Sequence, residues 1–325
     1  MKAVPDREIE KAVDILRRGG LVAFPTETVY GLGADASNPD AVKKIFATKG
    51  RPQNHPLIVH LADASHLAHW AREIPVAAIL LSERFWPGPL TLILRRSDNV
   101  PDALTGGQDT VGLRVPAHPV AHALLQAFGS GIAAPSANRF GSISPTTAEH
   151  VRAELGERVD MVLDGGSCDI GIESTIVDLS GSQPTLLRPG NISASEIEEV
   201  LGRPLAQPGP SSARAPGMLA AHYAPQTSLL VVSGQTLAEE ARRFSTQGKH
   251  TAVLAYHHAP IADANIAWFA APSQAADYAR ELYANLRRLD QPMYDVILVE
   301  QVPPGEEWDA VRDRLAKAAV SKEVF

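Results

Sequence analysis

Residues 23–36, AFPTETVYGLGADA, decide how the fold is read. Leu21-Val22-Ala23-Phe24 is an apolar run that stops at Pro25, where the backbone N–H is lost, as a buried strand stops. Two threonines, a glutamate and a tyrosine come next, and then Gly31 and Gly33. An ordinary strand-to-helix connection does not need so much polar chemistry. The stretch reads either as a polar turn or as the wall of a site at a strand end of an α/β sheet.

The same alternation continues outward. Residues 6–18 place Ile9, Val13, Ile15 and Leu16 at helical spacing, and Gly19-Gly20 stops that helix. Strand-like runs lie at 21–24, 57–61, 90–94, 110–115, 131–134, 161–163, 174–179 and 184–188. Helical patterns fall near 39–48, 63–70, 75–85, 119–128, 145–155 and 193–201. Strands and helices interleave without strict alternation, which predicts an α/β domain over residues 1–202 with a twisted, mixed sheet. Residues 203–217, RPLAQPGPSSARAPG, are proline-rich and predict an extended linker, carried to residue 225 as a linker or lid. Short apolar strands at 228–232, 251–256, 266–270 and 294–299, with helices at 236–246, 273–289 and 306–319, predict a smaller domain over residues 226–325. It is Rossmann-like in topology only, because no G-x-G-x-x-G follows any of its strands.

The totals agree. A chain of 325 residues exceeds the size at which single cores stop growing, so two domains are expected. Its net charge of -7 argues against a protein coated in basic residues, while leaving room for a local basic groove. The single cysteine, Cys168, excludes an internal disulfide and a cysteine metal cluster. The charged, helical start carries no apolar signal region, and no apolar run nears the roughly 20 residues that span a bilayer. A cytoplasmic protein without a membrane role is expected.

Three further stretches carry chemistry. In ATKGRPQNHPLIVH, residues 47–60, Lys49 and Arg51 flank Gly50, and Pro52 and Pro56 stiffen the loop beyond them. An ammonium and a guanidinium fork on one side of a loop suit a polyphosphate, although a solvated basic loop reads the same way. In IAAPSANRFGSISPTT, residues 132–147, a buried strand delivers Ser136 and Asn138. Ser144 precedes Pro145 and is equally a helix N-cap. In GGSCDIGIESTIVDL, residues 165–179, glycines allow close backbone approach and Ser174 opens a strand. Arg114 and Arg188 lie inside or at the end of apolar strands, where a cation needs an anion from protein or ligand. His118 and His122 are four apart without a third metal ligand, and His257-His258 reads as a loop pair, so both pairs read as structural or surface residues. Cys168 has no nearby basic group to activate it as a nucleophile, and there is no P-loop and no G-x-S-x-G elbow.

Taken together, PTETVYGLG, KGRP with HPLIVH, and APSAN resemble the YrdC-like family. The linker and second domain, with APGMLAAHYAP at residues 215–225, resemble its long, two-domain threonylcarbamoyl-adenylate synthases. The resemblance implies an open α/β fold on a twisted, largely parallel sheet around a basic cavity. It implies a nucleotidyltransferase reaction in which L-threonine, bicarbonate and ATP give threonylcarbamoyl-adenylate and pyrophosphate, for modification of tRNA beside the anticodon. It places Lys49, Arg51, Ser136 and Asn138 at the ATP phosphates and their Mg²⁺, with Lys49 and Arg51 as the catalytic pair and no organic cofactor. It adds His55, Thr110, Ser144, Arg188 and Tyr223 on the nucleotide side, His55 standing where the family often has asparagine. It places Thr28, His60, Arg114, the Ala134 backbone and Ser174 around threonine. The product would pass to the threonylcarbamoyl transferase machinery that modifies tRNA. Two other functions fit the same fold: an RNA-binding module, with weak RNA affinity in the basic cavity, and a carbamoyl-transfer domain. For the latter, the single cysteine excludes the zinc module that accompanies such domains in hydrogenase-maturation proteins.

Overall fold

The computed structural model describes residues 2–210, 212–219, 222–257 and 262–320. It divides into two compact units, Met1–Phe140 with Ser144–Met218, and Gly141–Ile143 with Leu219–Phe325. Ser211, Ala220 and Ala221, within the linker and motif expected at residues 203–225, and His258 of the histidine pair lie outside the described residues.

In the first unit the strands are β1 (Val22–Phe24), β2 (Gly31–Asp35), β3 (Ile58–His60), β4 (Leu90–Arg95), β5 (Thr110–Arg114), β6 (Ile132–Ala133), β7 (Met161–Val162), β8 (Thr175–Asp178) and β9 (Thr185–Arg188). They form one sheet in the order β7-β1-β2-β6-β3-β5-β4-β8-β9. The sheet is mixed, as expected. β1–β7, β3–β5 and β4–β8 pair parallel, and the other five neighbouring pairs are antiparallel. Antiparallel pairs outnumber parallel ones because β2 folds straight back on β1, β9 folds back on β8, and β6 runs against both its neighbours. The all-parallel arrangement is found in the second unit.

β2 has no counterpart among the strand-like runs of the sequence, and its glycines explain why. Glycine disfavours strands intrinsically. A Cβ on Gly33 would lie 2.8 Å from Phe24 Cε1 and 2.9 Å from Ile132 Cγ2, so only glycine lets β2 sit between β1 and β6. The close approach at Gly33 therefore serves strand packing rather than a ligand.

Helices α1 (Asp6–Arg17), α2 (Pro39–Lys49), α3 (Leu67–Trp70), α4 (Val76–Phe85), α5 (Asp102–Thr105), α6 (Pro119–Phe128), α7 (Ala148–Leu155) and α8 (Ala194–Leu201) flank the sheet. α1 buries Ile9, Ala12, Val13 and Leu16, one stripe at helical spacing, in a cluster with Val120, Leu124 and Phe128 of α6. Asn38 caps α2 by accepting from the Asp40 and Ala41 amides, and Pro39 follows at the first helical position. His118 caps α6, its Nδ1 accepting from Val120 N at 3.2 Å, so its role is structural. α7 is capped by Thr147, not by Ser144, and starts three residues later than the pattern at 145–155 suggests.

Residues 203–210 and 212–218 lie on the first unit as a strap. Ala206 pairs with β9 through Leu186 N and Pro184 O. Further on, Gln108 exchanges two hydrogen bonds with the Arg214 backbone, at 2.7 and 3.0 Å. Arg214 Nη2 donates to Gly106 O, and Arg188 Nη1 donates to Pro216 O. Beneath the strap, Ile58, Ile93, Ile176 and Leu187 form an apolar floor with Ala215, and Ala213 and Met218 pack against it.

The second unit holds β10 (Ser228–Val232), β11 (Thr251–Ala255), β12 (Ile266–Ala270) and β13 (Val296–Glu300), in the order β10-β13-β11-β12 with every pairing parallel. β11 and β13 are buried throughout, as central strands of a covered parallel sheet are. Helices α9 (Gly234–Thr246), α10 (Ala275–Leu289) and α11 (Asp309–Ala318) complete it.

Candidate active site

Most of the residues expected at the site lie in the first unit, where they fall into three groups. In the first, α2 ends at Lys49 and Gly50 turns the chain in the left-handed region at φ 62°, which sends Arg51 onward into the loop. Lys49 is thus a helix residue rather than the loop cation expected. It is buried, and its Nζ donates to the Ser136 and Asn138 carbonyls, each at 2.5 Å. Burial, and then the charge of Arg51, pulls the Lys49 ammonium well below the ordinary lysine pKa, with Glu154 and Glu173 acting in the opposite sense. Arg51 is also buried. Its Nη2 donates to Pro56 O at 3.0 Å and its guanidinium lies 5.7 Å from the centre of the Phe140 ring. His55 meets the same ring edge-on at 5.2 Å. Burial, then the charges of Arg51 and Arg214, lower its pKa, so a residue of the strap is electrostatically part of this group.

The second group joins β1–β2, β3 and β5. Thr26 Oγ1 donates to Val29 O and lies 2.8 Å from Thr28 Oγ1. With its proton committed, Thr26 accepts from Thr28, which leaves the Thr28 oxygen as an acceptor. His60 and Arg114 are register partners on neighbouring strands. Burial, and then the Arg114 charge, pushes His60 down to about 3, and its buried Nδ1 has no hydrogen-bond partner. A neutral imidazole with an orphaned nitrogen suits a polar ligand. Arg114 finds its anion within the protein: Nη2 lies 2.6 Å from Glu27 Oε1, both side chains being buried. The backbone N–H of Ala134 is already used by Ile58 O at 2.9 Å.

The third group stands on β8 and β9. Arg188 Nε and Nη2 both donate to Ser174 O, at 3.0 and 2.9 Å, and Nη2 also reaches Ser174 Oγ. Ser174 Oγ lies 2.8 Å from Thr91 Oγ1. Ser144 is not a cap. Its Oγ donates to the buried Glu173 carboxylate at 2.6 Å. Thr110 opens β5, half-buried, at the opposite end of that strand from Arg114.

Tyr223 belongs to the second unit. There it adopts φ 61°, is buried, stacks on Tyr283 at 5.8 Å and carries the Arg314 guanidinium over its ring at 5.1 Å. Cys168 is buried and its thiol is pushed up, chiefly by desolvation, which agrees with a non-nucleophilic role. Among the described residues no three His, Cys, Asp or Glu side chains form a metal-binding group. No helix of the described residues is long and apolar enough to cross a membrane.

A family model described as Sua5_yciO_yrdC, Telomere recombination, matches residues 14–190. A second, described as the C-terminal domain of threonylcarbamoyl-AMP synthase, matches residues 192–320. The chain belongs to the Sua5/YciO/YrdC family. It is 43% identical to the threonylcarbamoyl-AMP synthase of Pyrococcus abyssi, over 97% of this chain and 95% of that one. It is 42% identical to the enzyme of the same name from Bacillus subtilis, over 97% and 93%. Its structure is similar to that of P. abyssi Sua5 complexed with L-threonine, with a TM-score of 0.91 and 41% identity, covering 98% of this chain and 96% of the other.

Sequence reasoning missed Glu27 and Glu173, the two buried carboxylates beside the site's cations and hydroxyls. The signal for Glu27 is present: one acidic residue between two threonines in an otherwise apolar run. The buried imidazole yields a prediction for this family member. Between about pH 6.5 and 3 the unfolded chain binds a proton at His60 that the folded chain refuses. Stability must then fall as pH falls through that window, by about 1.4 kcal/mol per pH unit from this group. Urea unfolding across pH should give a flatter curve for His60→Gln than for the parent; parallel curves would contradict it.

Proposed function

We propose that this protein condenses L-threonine, bicarbonate and ATP into threonylcarbamoyl-adenylate, releasing pyrophosphate and water, as the donor for tRNA modification beside the anticodon. The observation that carries this reading is the near full-length similarity to a Sua5 complexed with L-threonine, together with the buried cation cluster. The amine of threonine attacks the carbon of carbon dioxide or its hydrated form, and the resulting carbamate oxygen attacks the α-phosphorus. Neither step needs an enzyme nucleophile. Both need reactants held close and phosphate charge neutralised. Lys49 Nζ donates to the Ser136 and Asn138 carbonyls at 2.5 Å and, at 3.5 Å, to Asn138 Oδ1; the long third bond is the one a phosphate oxygen would replace. Arg51 adds a fork. Mg²⁺ enters with ATP as part of that substrate, in keeping with its habit of binding phosphates and water more than protein side chains. Arg114 pairs with the threonine carboxylate, and His60 and Thr28 offer acceptors to its N–H and O–H groups.

The direct test is pyrophosphate release by the purified protein with ATP and Mg²⁺. Release should require both threonine and bicarbonate. RNA binding without turnover would favour the binding-module alternative instead. Amino-acid choice is set by the buried acceptors. Valine lacks the hydroxyl and leaves one of them unpaired, so it should fail to compete, whereas serine loses only a methyl, about 1–3 kcal/mol. Competition by valine equal to threonine would refute a dedicated hydroxyl contact.

The strap is proposed to close over the bound substrates and shield a hydrolysable product from water. Proteolysis within residues 203–217 should slow when ATP and threonine are both present. Equal cutting rates would reduce the strap to a connector.

A further inference from the structure

Glu27 has no assigned role in the reaction, yet its carboxylate is placed with care. Glu27 is buried, and its two oxygens have different partners: Oε1 takes Arg114 Nη2 at 2.6 Å and Oε2 takes the Ala117 N–H at 3.1 Å. Elsewhere on the guanidinium, Arg114 Nε donates to Gly88 O at 3.2 Å. Nε and Nη2 form one edge of the arginine fork, and that edge is fully taken by protein. Nη1 makes no hydrogen bond among the described residues. The end-on edge, Nη1 with the second N–H of Nη2, is therefore the part of Arg114 left for a bidentate partner. Backbone contacts from Gly171 N to Thr28 O and Ile170 N to Glu27 O lock the segment that presents the carboxylate.

We propose that Glu27 is a positioning residue for the amino-acid substrate: it fixes the Arg114 fork so that its end-on edge faces the carboxylate of L-threonine. This rests on the assignment of Arg114 to that carboxylate. A simple Coulombic view makes the opposite forecast. An acid beside the site repels a carboxylate, so its removal would tighten threonine binding. Positioning requires that removal weaken it.

The experiment is calorimetric titration of the full-length protein with L-threonine and, separately, with ATP and Mg²⁺. Glu27→Gln keeps the shape but turns an amide N–H₂ toward one of two N–H donors. Threonine affinity should fall on the order of 10- to 100-fold, the effect of losing a hydrogen bond to a charged group. ATP affinity should not change. In an Arg114→Ala background the same substitution should have no further effect on threonine, because the group it positions is gone. Thermal unfolding checks each variant. Should Glu27→Gln fail to fold, Glu27→Asp serves instead: it keeps the charge, is one methylene too short to hold both partners, and should lose threonine affinity to a lesser degree. Equal or tighter threonine binding by the folded variant overturns the proposal, as does a matching loss of ATP affinity or full additivity with Arg114→Ala. A parent protein that binds ATP but not threonine would instead defeat the underlying assignment of Arg114.

Discussion

Arg51→Ala is expected to lower threonine- and bicarbonate-dependent pyrophosphate release on the order of 100-fold, the usual consequence of removing one preorganised contact to developing phosphate charge. The position alone suggests a loop cation whose loss leaves folding untouched. The structure changes that expectation: Arg51 is buried, bonds Pro56 O and lies against Phe140. Alanine there also removes packing and one hydrogen bond, so the midpoint of thermal unfolding should drop as well. Arg51→Lys separates the two effects. It retains a charge and much of the stem but not the fork, so stability should largely recover while turnover stays low. Turnover near the parent level in a folded Arg51→Ala protein would remove Arg51 from the phosphate site.

Gly190→Ala is expected to destabilise the first unit by about 3 kcal/mol or more. A Cβ at Gly190 would stand 2.3 Å from Thr175 N and 2.7 Å from the Ser174 carbonyl carbon, both backbone atoms. Nor can that backbone retreat easily. Thr175 N is bonded to Pro89 O, and Thr175 Oγ1 exchanges hydrogen bonds with Ile192. Any shift also displaces Ser174, on which Arg188 rests through three hydrogen bonds. Urea unfolding should show a lower midpoint. An unchanged midpoint would mean that the turn after β9 yields to the added methyl without strain.

Much of this architecture was legible because it depends on local pattern. The central strands of the second unit, β11 and β13, are buried throughout and lie within two residues of the apolar runs at 251–256 and 294–299, since buried parallel strands are nearly continuous hydrophobic segments. β2 was not legible, because its glycines answer to Phe24 and Ile132, and tertiary packing overrides strand propensity there. The motif residues of the first unit do fall into hydrogen-bonded groups, but their partners could not be read. Glu27 meets Arg114 across 87 residues of chain, and Ser144 meets Glu173 across 29. No spacing rule spans such separations. Ser144 illustrates the cost of ambiguity: S-I-S-P-T-T offers several caps, and the fold uses Thr147.

The burial of Cys168 has a practical consequence for following motion. A thiol reacts through its thiolate, and this one is both enclosed and harder to ionise than usual. The native chain is therefore a silent background for maleimide chemistry. A single exposed cysteine introduced on the strap, Gln207→Cys, can be tagged with a fluorophore without first deleting anything. Its anisotropy, recorded as substrates are added one at a time, would report in real time whether the strap settles, and which of them makes it do so.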